Sequence, residues 1–243
     1  DENAVRSTLD ALHETGIDSY LDEGTERLYT ISADQHLNAA YYRNTAIHYF
    51  ILDAFVEVSL LDAASASGDL TEAFFVRASE LRELFKFEFY FPRRADYQSE
   101  IKKRVDERFS DWENTARRSD AGGHAVLAAV QPLIAHGVLR SFVDAYRIVA
   151  RVLAAAGADS IDDEGSFLSQ CLKTGKQQLL QGRVFSAESI SKSLYATGLK
   201  LADYRGLLAA NQEGARHDFH QEFRRISSRL DEILSIALTK AND

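Results

Sequence analysis

Methionine is absent from this 243-residue chain, while cysteine occurs once, proline twice and glycine thirteen times. Each scarcity excludes something. A lone Cys171 allows no internal disulfide and no thiolate metal cluster, and it reads as a core filler in a reducing compartment. So few prolines and glycines give too little punctuation for an all-β sandwich or a doubly wound α/β sheet, and a mostly helical chain is expected. No run of about 18 uncharged apolar residues is available to span a bilayer. No basic segment followed by an apolar one marks a signal peptide at the start. Membrane contact, if any, is then expected to be peripheral. A chain that opens at Asp1 without an initiator reads as part of a longer protein. Positive charge is also in deficit: 28 Lys and Arg stand against 37 Asp and Glu, a formal −9. That disfavours nonspecific attraction to nucleic acid or anionic lipid, and no nucleic-acid partner is expected. What is present, 45% apolar and 27% charged residues, suits a globular protein able to bury a substantial core.

The apolar spacing predicts an all-α, multi-helix bundle with a small N-terminal helix plus β-hairpin element. Residues 4–15 predict a short helix that Gly16 ends. The polar turn Asp22-Glu23-Gly24-Thr25 before the alternating Arg27-Leu28-Tyr29-Thr30-Ile31 predicts a hairpin. Helix then hairpin is winged-helix-like, but without a basic recognition helix the element is read as packing. Ser32 and Gln35 form a capping-box pattern, after which Leu37, Tyr41, Ile51, Phe55 and Val58 predict one helix over 34–64. Asp69 with Glu72 offers the next cap, for a helix through Leu70, Phe74, Leu81 and Leu84 bounded by Pro92. A charged helix over 95–110 carries Tyr97, Ile101, Val105 and Phe109 on one stripe. Residues 113–123, polar and glycine-rich, read as a linker. One long apolar helix is expected over 124–156, with Pro132 in its first turns or kinking it and Gly157 closing it. Amphipathic helices follow at 162–181, 187–209 and 214–239. The chain thus divides into a packing element at 1–31, a helical subdomain at 32–112, the linker, and a C-terminal helical subdomain at 124–243.

Two segments stand out chemically. Residues 39–50 place Tyr41, Tyr42, Arg43, Asn44 and His48 in a helix that is apolar nearly all round, which predicts burial. Desolvating a polar group without a partner costs roughly 2–7 kcal/mol, so these residues are candidates for a structural network or a domain interface. On a helical wheel Tyr41, Asn44, Thr45 and His48 share one face, while Arg43 and Ile47 fall on another. The second segment, Phe85 to Arg94, alternates phenylalanines and ends on an Arg pair. Rings beside cations suit a bilayer interface, so Phe89, Tyr90, Phe91, Arg93 and Arg94 are membrane-interface candidates, with core packing as the alternative.

Several segments in order resemble the C-terminal part of the bacterial PlsB-type glycerol-3-phosphate acyltransferases. They are Leu28-Tyr29-x-Ile31, Tyr41-Tyr42-Arg43-Asn44 with His48, Leu84-Phe85-Lys86-Phe87-Glu88-Phe89, Ile190-Ser191-Lys192-Ser193-Leu194, Ala196-x-x-Leu199-Lys200-Leu201-Ala202 and Arg205-Gly206-Leu207-Leu208. The resemblance implies a parent enzyme that transfers an acyl group from acyl-CoA or acyl-carrier protein to the sn-1 hydroxyl of glycerol 3-phosphate. It also implies an upstream acyltransferase domain in the same chain as partner, and a peripheral place at the cytoplasmic face of the bacterial plasma membrane.

No catalytic residue is assigned here. The family's H-x-x-x-x-D pair needs a His base and an orienting Asp, and two strings have that spacing: His13 to Asp18 and His48 to Asp53. Within a helix the second pair would stand roughly 140° apart, and the first is a two-position match that chance supplies easily. Glu23-Gly24-Thr25 lacks the flanks of the family's Glu-Gly-Thr motif. There is no Walker loop, G-x-G-x-x-G unit or G-x-S-x-G elbow. His217 and His220 are too few for a metal site, so neither metal nor cofactor is expected. A free-standing helical interaction or regulatory domain with a winged-helix-like N-terminus is the alternative reading.

Overall fold

A computed structural model describes residues 2–21, 27–32, 34–64, 69–118, 122–129 and 133–241. The polar turn of the hairpin, Pro132 and the centre of the expected linker lie outside the described residues. Among those described, eleven helices and one two-stranded hairpin make an all-α bundle. The hairpin pairs β1 (Ser19–Leu21) antiparallel with β2 (Leu28–Thr30), Tyr20 opposite Tyr29. It follows α1 (Glu2–Glu14) and Gly16, whose φ of +73° is the left-handed conformation that glycine adopts without a Cβ penalty.

The single helix expected over 34–64 is two. Helix α2 (His36–Ala46) gives way to a 3-10 turn at Ile47–Tyr49, and α3 (Ile51–Ala64) follows. The capping box does not form either, because the Ser32 side chain is spent on Asp34, whose carboxyl it holds below the usual carboxylate range. Helix α3 is buried nearly all round, with Ala54, Phe55, Val56, Val58, Leu60 and Leu61 inaccessible to solvent. Burying one such side chain stabilises the fold by about 1.5–3 kcal/mol. Glu57, equally buried, is satisfied rather than orphaned. It accepts from the His136 N–H at 2.8 Å, the Ala135 N–H at 3.3 Å, His136 Nδ1 at 2.9 Å and Arg108 at 3.2 Å.

Helix α4 (Leu70–Leu84) starts on the expected cap, Asp69 accepting from the Glu72 N–H at 2.9 Å. Helix α5 (Arg94–Arg108) buries Tyr97, Ile101 and Val105, the predicted stripe. Where a linker was expected, α6 (Trp112–Arg118) buries the whole Trp112 side chain, and α7 (Gly122–Ala129) follows. The long helix of 124–156 is likewise divided, into α7, a 3-10 turn at Ala135–Leu139 and α8 (Arg140–Ala155), which Gly157 closes at φ +59°. Glu57 holds that 3-10 turn against α3. Helices α9 (Glu164–Leu180), α10 (Lys192–Tyr204) and α11 (Glu213–Ala241) complete the bundle, α8 lying among all three. One core runs from Phe55 through Val126 and Val149 to Phe223, so the two expected subdomains share it.

The 85–94 segment turns back onto the bundle. Its backbone turns, Phe89 N–H bonding to Phe85 O at 3.1 Å, and the rings point inward. Phe89 meets Phe142 at 4.9 Å, while Phe91 lies against Phe55 at 5.6 Å and Tyr97 at 6.0 Å. Phe89 and Phe91, two of the five membrane-interface candidates, are thus partly buried and packed against the core. Of the five only Tyr90, Arg93 and Arg94 stay exposed, Arg94 pairing with Glu83 at 3.0 Å.

Candidate domain interface

Helix α2 is not buried all round, as its composition suggested. Only Ala40 and Ile47 are covered, while Tyr41 is 70% and Tyr42 55% exposed, and Asn44 and His48 are open to solvent. The two faces of the wheel separate: Ala40, Arg43 and Ile47 lie toward the bundle, and Leu37, Tyr41, Asn44 and His48 look out. A helix with apolar residues on its solvent face is short of a partner.

The inward face is anchored by charge. Asp144 on α8 accepts from the Phe185 N–H at 3.0 Å and from Arg147 at 3.0 Å, fixing the loop before α10. That loop presents Glu188, which is 15% exposed and pairs with Arg43 across the gap to α2. Arg43 also donates to Asn44 Oδ1 at 2.9 Å. Around this pair lies a cleft of about 360 Å3 lined by Ile31, His36, Ala40, Arg140, Ser141 and Phe185. His36 Nε2 lies 3.1 Å from Ile31 O, tying the hairpin's exit to the helix. Of the five polar and aromatic residues singled out in the sequence, Arg43 and Asn44 touch each other. Tyr41 and Tyr42 meet edge to face at 5.7 Å, and His48 lies on Tyr49 at 4.0 Å.

The hairpin is braced in the same way. His13 packs on Tyr20 at 4.6 Å, and Arg27 sits 4.4 Å above the same ring and 3.5 Å from Asp10. His13 Nδ1 lies 3.2 Å from Asp18 O and 3.6 Å from the buried Asp18 carboxylate. The structure therefore brings His13 and Asp18 together as a turn brace. His48 and Asp53 part company, Asp53 turning to Arg104 at 3.3 Å with burial raising its carboxyl above the usual range.

The sequence segments that lie far apart also converge. Tyr146 on α8 donates to Glu88 at 2.9 Å, Lys200 on α10 lies 4.8 Å from the Phe87 ring, and Lys86 covers Tyr204 at 3.2 Å. A family model described as the glycerol-3-phosphate acyltransferase C-terminal region matches residues 1–211. The chain belongs to that family. Family members similar to it include the candidate acyltransferase plsB1 of Mycobacterium bovis and of two Mycobacterium tuberculosis strains, each 40% identical over 97% of this chain. The match spans 39% of those relatives, so the chain is well under half their length. No solved structure matches. The family's C-terminal region here thus includes the Arg43 anchor and the Phe87–Lys200 junction, while the model match stops before α11. Sequence reading missed Glu57, Asp144 and Glu188 as organisers of the site. A lone charge inside the apolar run Phe55-Val56-Glu57-Val58 was a usable signal for the first; nothing local marks Glu188.

Proposed function

We propose that this chain is the accessory helical domain of a glycerol-3-phosphate 1-O-acyltransferase. In this reading the whole protein moves an acyl group from acyl-CoA or acyl-carrier protein to the sn-1 hydroxyl of glycerol 3-phosphate, forming lysophosphatidate. An upstream domain performs the chemistry, and this domain supports it. The observation that carries the reading is the family match over residues 1–211 of a chain whose sequence offers no acyltransfer motif set of its own. His13 and Asp18 do lie in contact, but His13 also meets the Asp18 backbone carbonyl at 3.2 Å and packs against Tyr20.

No helix among the described residues is long and apolar enough to cross a membrane. Association with the cytoplasmic face of the membrane is proposed as peripheral, through Tyr90, Arg93 and Arg94 with other parts of the parent. The test is CoA release from acyl-CoA, with and without glycerol 3-phosphate, by the full-length protein and by the 243-residue chain. Release that depends on glycerol 3-phosphate in the full-length protein alone is the expected result. Release by the 243-residue chain, abolished in His13→Ala, would overturn the accessory role.

A further inference from the structure

Ten of the eighteen large apolar side chains that are exposed among the described residues fall in the first fifty positions. They include Tyr20, Leu28, Ile31, Leu37, Tyr41 and Tyr42, on β1, β2, the hairpin exit and the outward face of α2. Single exposed apolar residues are ordinary, but such a concentration on one part of a chain marks an interaction surface. Tyrosine dominates it, the residue whose ring gives large contact area at low conformational cost and whose hydroxyl tolerates a wet rim. Behind it, Arg43 pairs with Glu188 and His36 with the hairpin exit, which ties the backbone to the bundle.

Residues 1–50 hold nine Asp and Glu against three Arg in sequence, a formal −6 of the chain's −9. That balance disfavours an anionic bilayer, and equally a second copy of the same segment, as the occupant. A protein face with an apolar centre fits. The relatives extend roughly three-fifths of their length beyond the match, and the match is their C-terminal region, so their remaining chain precedes the counterpart of α1. Resting on the function proposed above, we infer that the outward face of α2 and the hairpin is the seat of the upstream acyltransferase domain of the same polypeptide. That domain is expected to bring Lys or Arg around an apolar patch.

Hydrogen exchange on the full-length protein, compared with the 243-residue chain, reads this directly. Amides of 28–32 and 36–46 exchange about tenfold or more slowly in the full-length protein. Leu37→Asp with Tyr41→Asp returns them to the rate of the 243-residue chain and leaves α8 and α11 unchanged, whereas Leu180→Asp, on the exposed end of α9, changes neither. Equal rates in the two proteins overturn the seat. If the full-length protein still acylates glycerol 3-phosphate in that case, the functional reading survives; if amides are protected but no acylation occurs, the functional reading fails instead. Protection of the 243-residue chain that appears only with phosphatidylglycerol vesicles assigns the face to lipid and overturns the inference. A doubled mass in light scattering with the same protection assigns it to a second copy and also overturns it.

Discussion

Removing the guanidinium of Arg216 is expected to cost the bundle about 3–5 kcal/mol. The side chain is fully buried near the start of α11, and among the described residues its hydrogen-bond partners are backbone carbonyls rather than carboxylates. Its Nε donates to Leu207 O at 2.8 Å, Nη1 to Gly157 O at 2.8 Å and Nη2 to Ala209 O at 2.9 Å. These carbonyls follow the ends of α8 and α10, where helix dipoles concentrate negative potential and where backbone acceptors lack partners within the helix. Arg216→Met keeps most of the volume and takes the donor from three carbonyls, one buried and two part-buried, at up to about 1–3 kcal/mol each. The lost desolvation penalty of the cation offsets part of that sum, which gives the range stated. Arg216→Lys retains the charge but cannot span three carbonyls with a planar fork, and about half the loss is expected. Urea unfolding followed by circular dichroism measures both, and a chain of this size should lose roughly 2–4 °C of melting temperature per kcal/mol. A loss under about 1 kcal/mol for Arg216→Met would refute the claim that the guanidinium staples α11 to the ends of α8 and α10.

Two further perturbations test the packing and the pH response. At Gly175 an added Cβ would stand 2.2 Å from Tyr195 Oη but 3.3 Å from Ile148 Cδ1. Gly175→Ala should therefore cost about 1–3 kcal/mol, most of it recovered in the double variant with Tyr195→Phe, whose ring has lost the clashing oxygen. Additive losses in that cycle would mean the clash is relieved by backbone movement. Burial raises the Glu88 carboxyl above its ordinary 4.5, outweighing the hydrogen bond from Tyr146. The native state then binds this proton more tightly than the unfolded state, so Glu88 favours folding below that value and its contribution is lost as pH rises through the raised one. Stability of the native chain relative to Glu88→Gln should fall as pH rises above the ordinary carboxylate range, and a flat difference would contradict it.

Periodicity and local chemistry made much of this architecture legible. The 3.6-residue spacing located α5, α9, α10 and α11, and Asp69 and Gly157 marked the ends where they occur. The alternation in Arg27–Ile31 located the hairpin. Three features escaped because their causes lie far away in sequence. The 3-10 turn inside the apolar run after residue 122 is bonded to Glu57, 79 positions before His136. Trp112 makes the polar stretch after it helical by burying a ring against Phe74 at 4.8 Å. Arg216 reads as part of a solvated helix start among Glu213, His217 and Asp218, and only the carbonyls of Gly157 and Leu207–Ala209 make it internal. For the candidate site, composition predicted burial where Tyr41, Tyr42, Asn44 and His48 are exposed. Tyrosines at Tyr41 and Tyr42 signal an apolar contact without saying whether that contact is made within the bundle or outside it.

The accessory role is tested most directly by complementation in trans. The parent protein cut just before the residue equivalent to Asp1 is assayed for glycerol-3-phosphate-dependent CoA release, alone and with the 243-residue chain added. Weak activity that rises on addition of the native chain, and not on addition of the Leu37→Asp, Tyr41→Asp variant, is the expected result. Full activity of the cut protein alone, unchanged by the added chain, would contradict it.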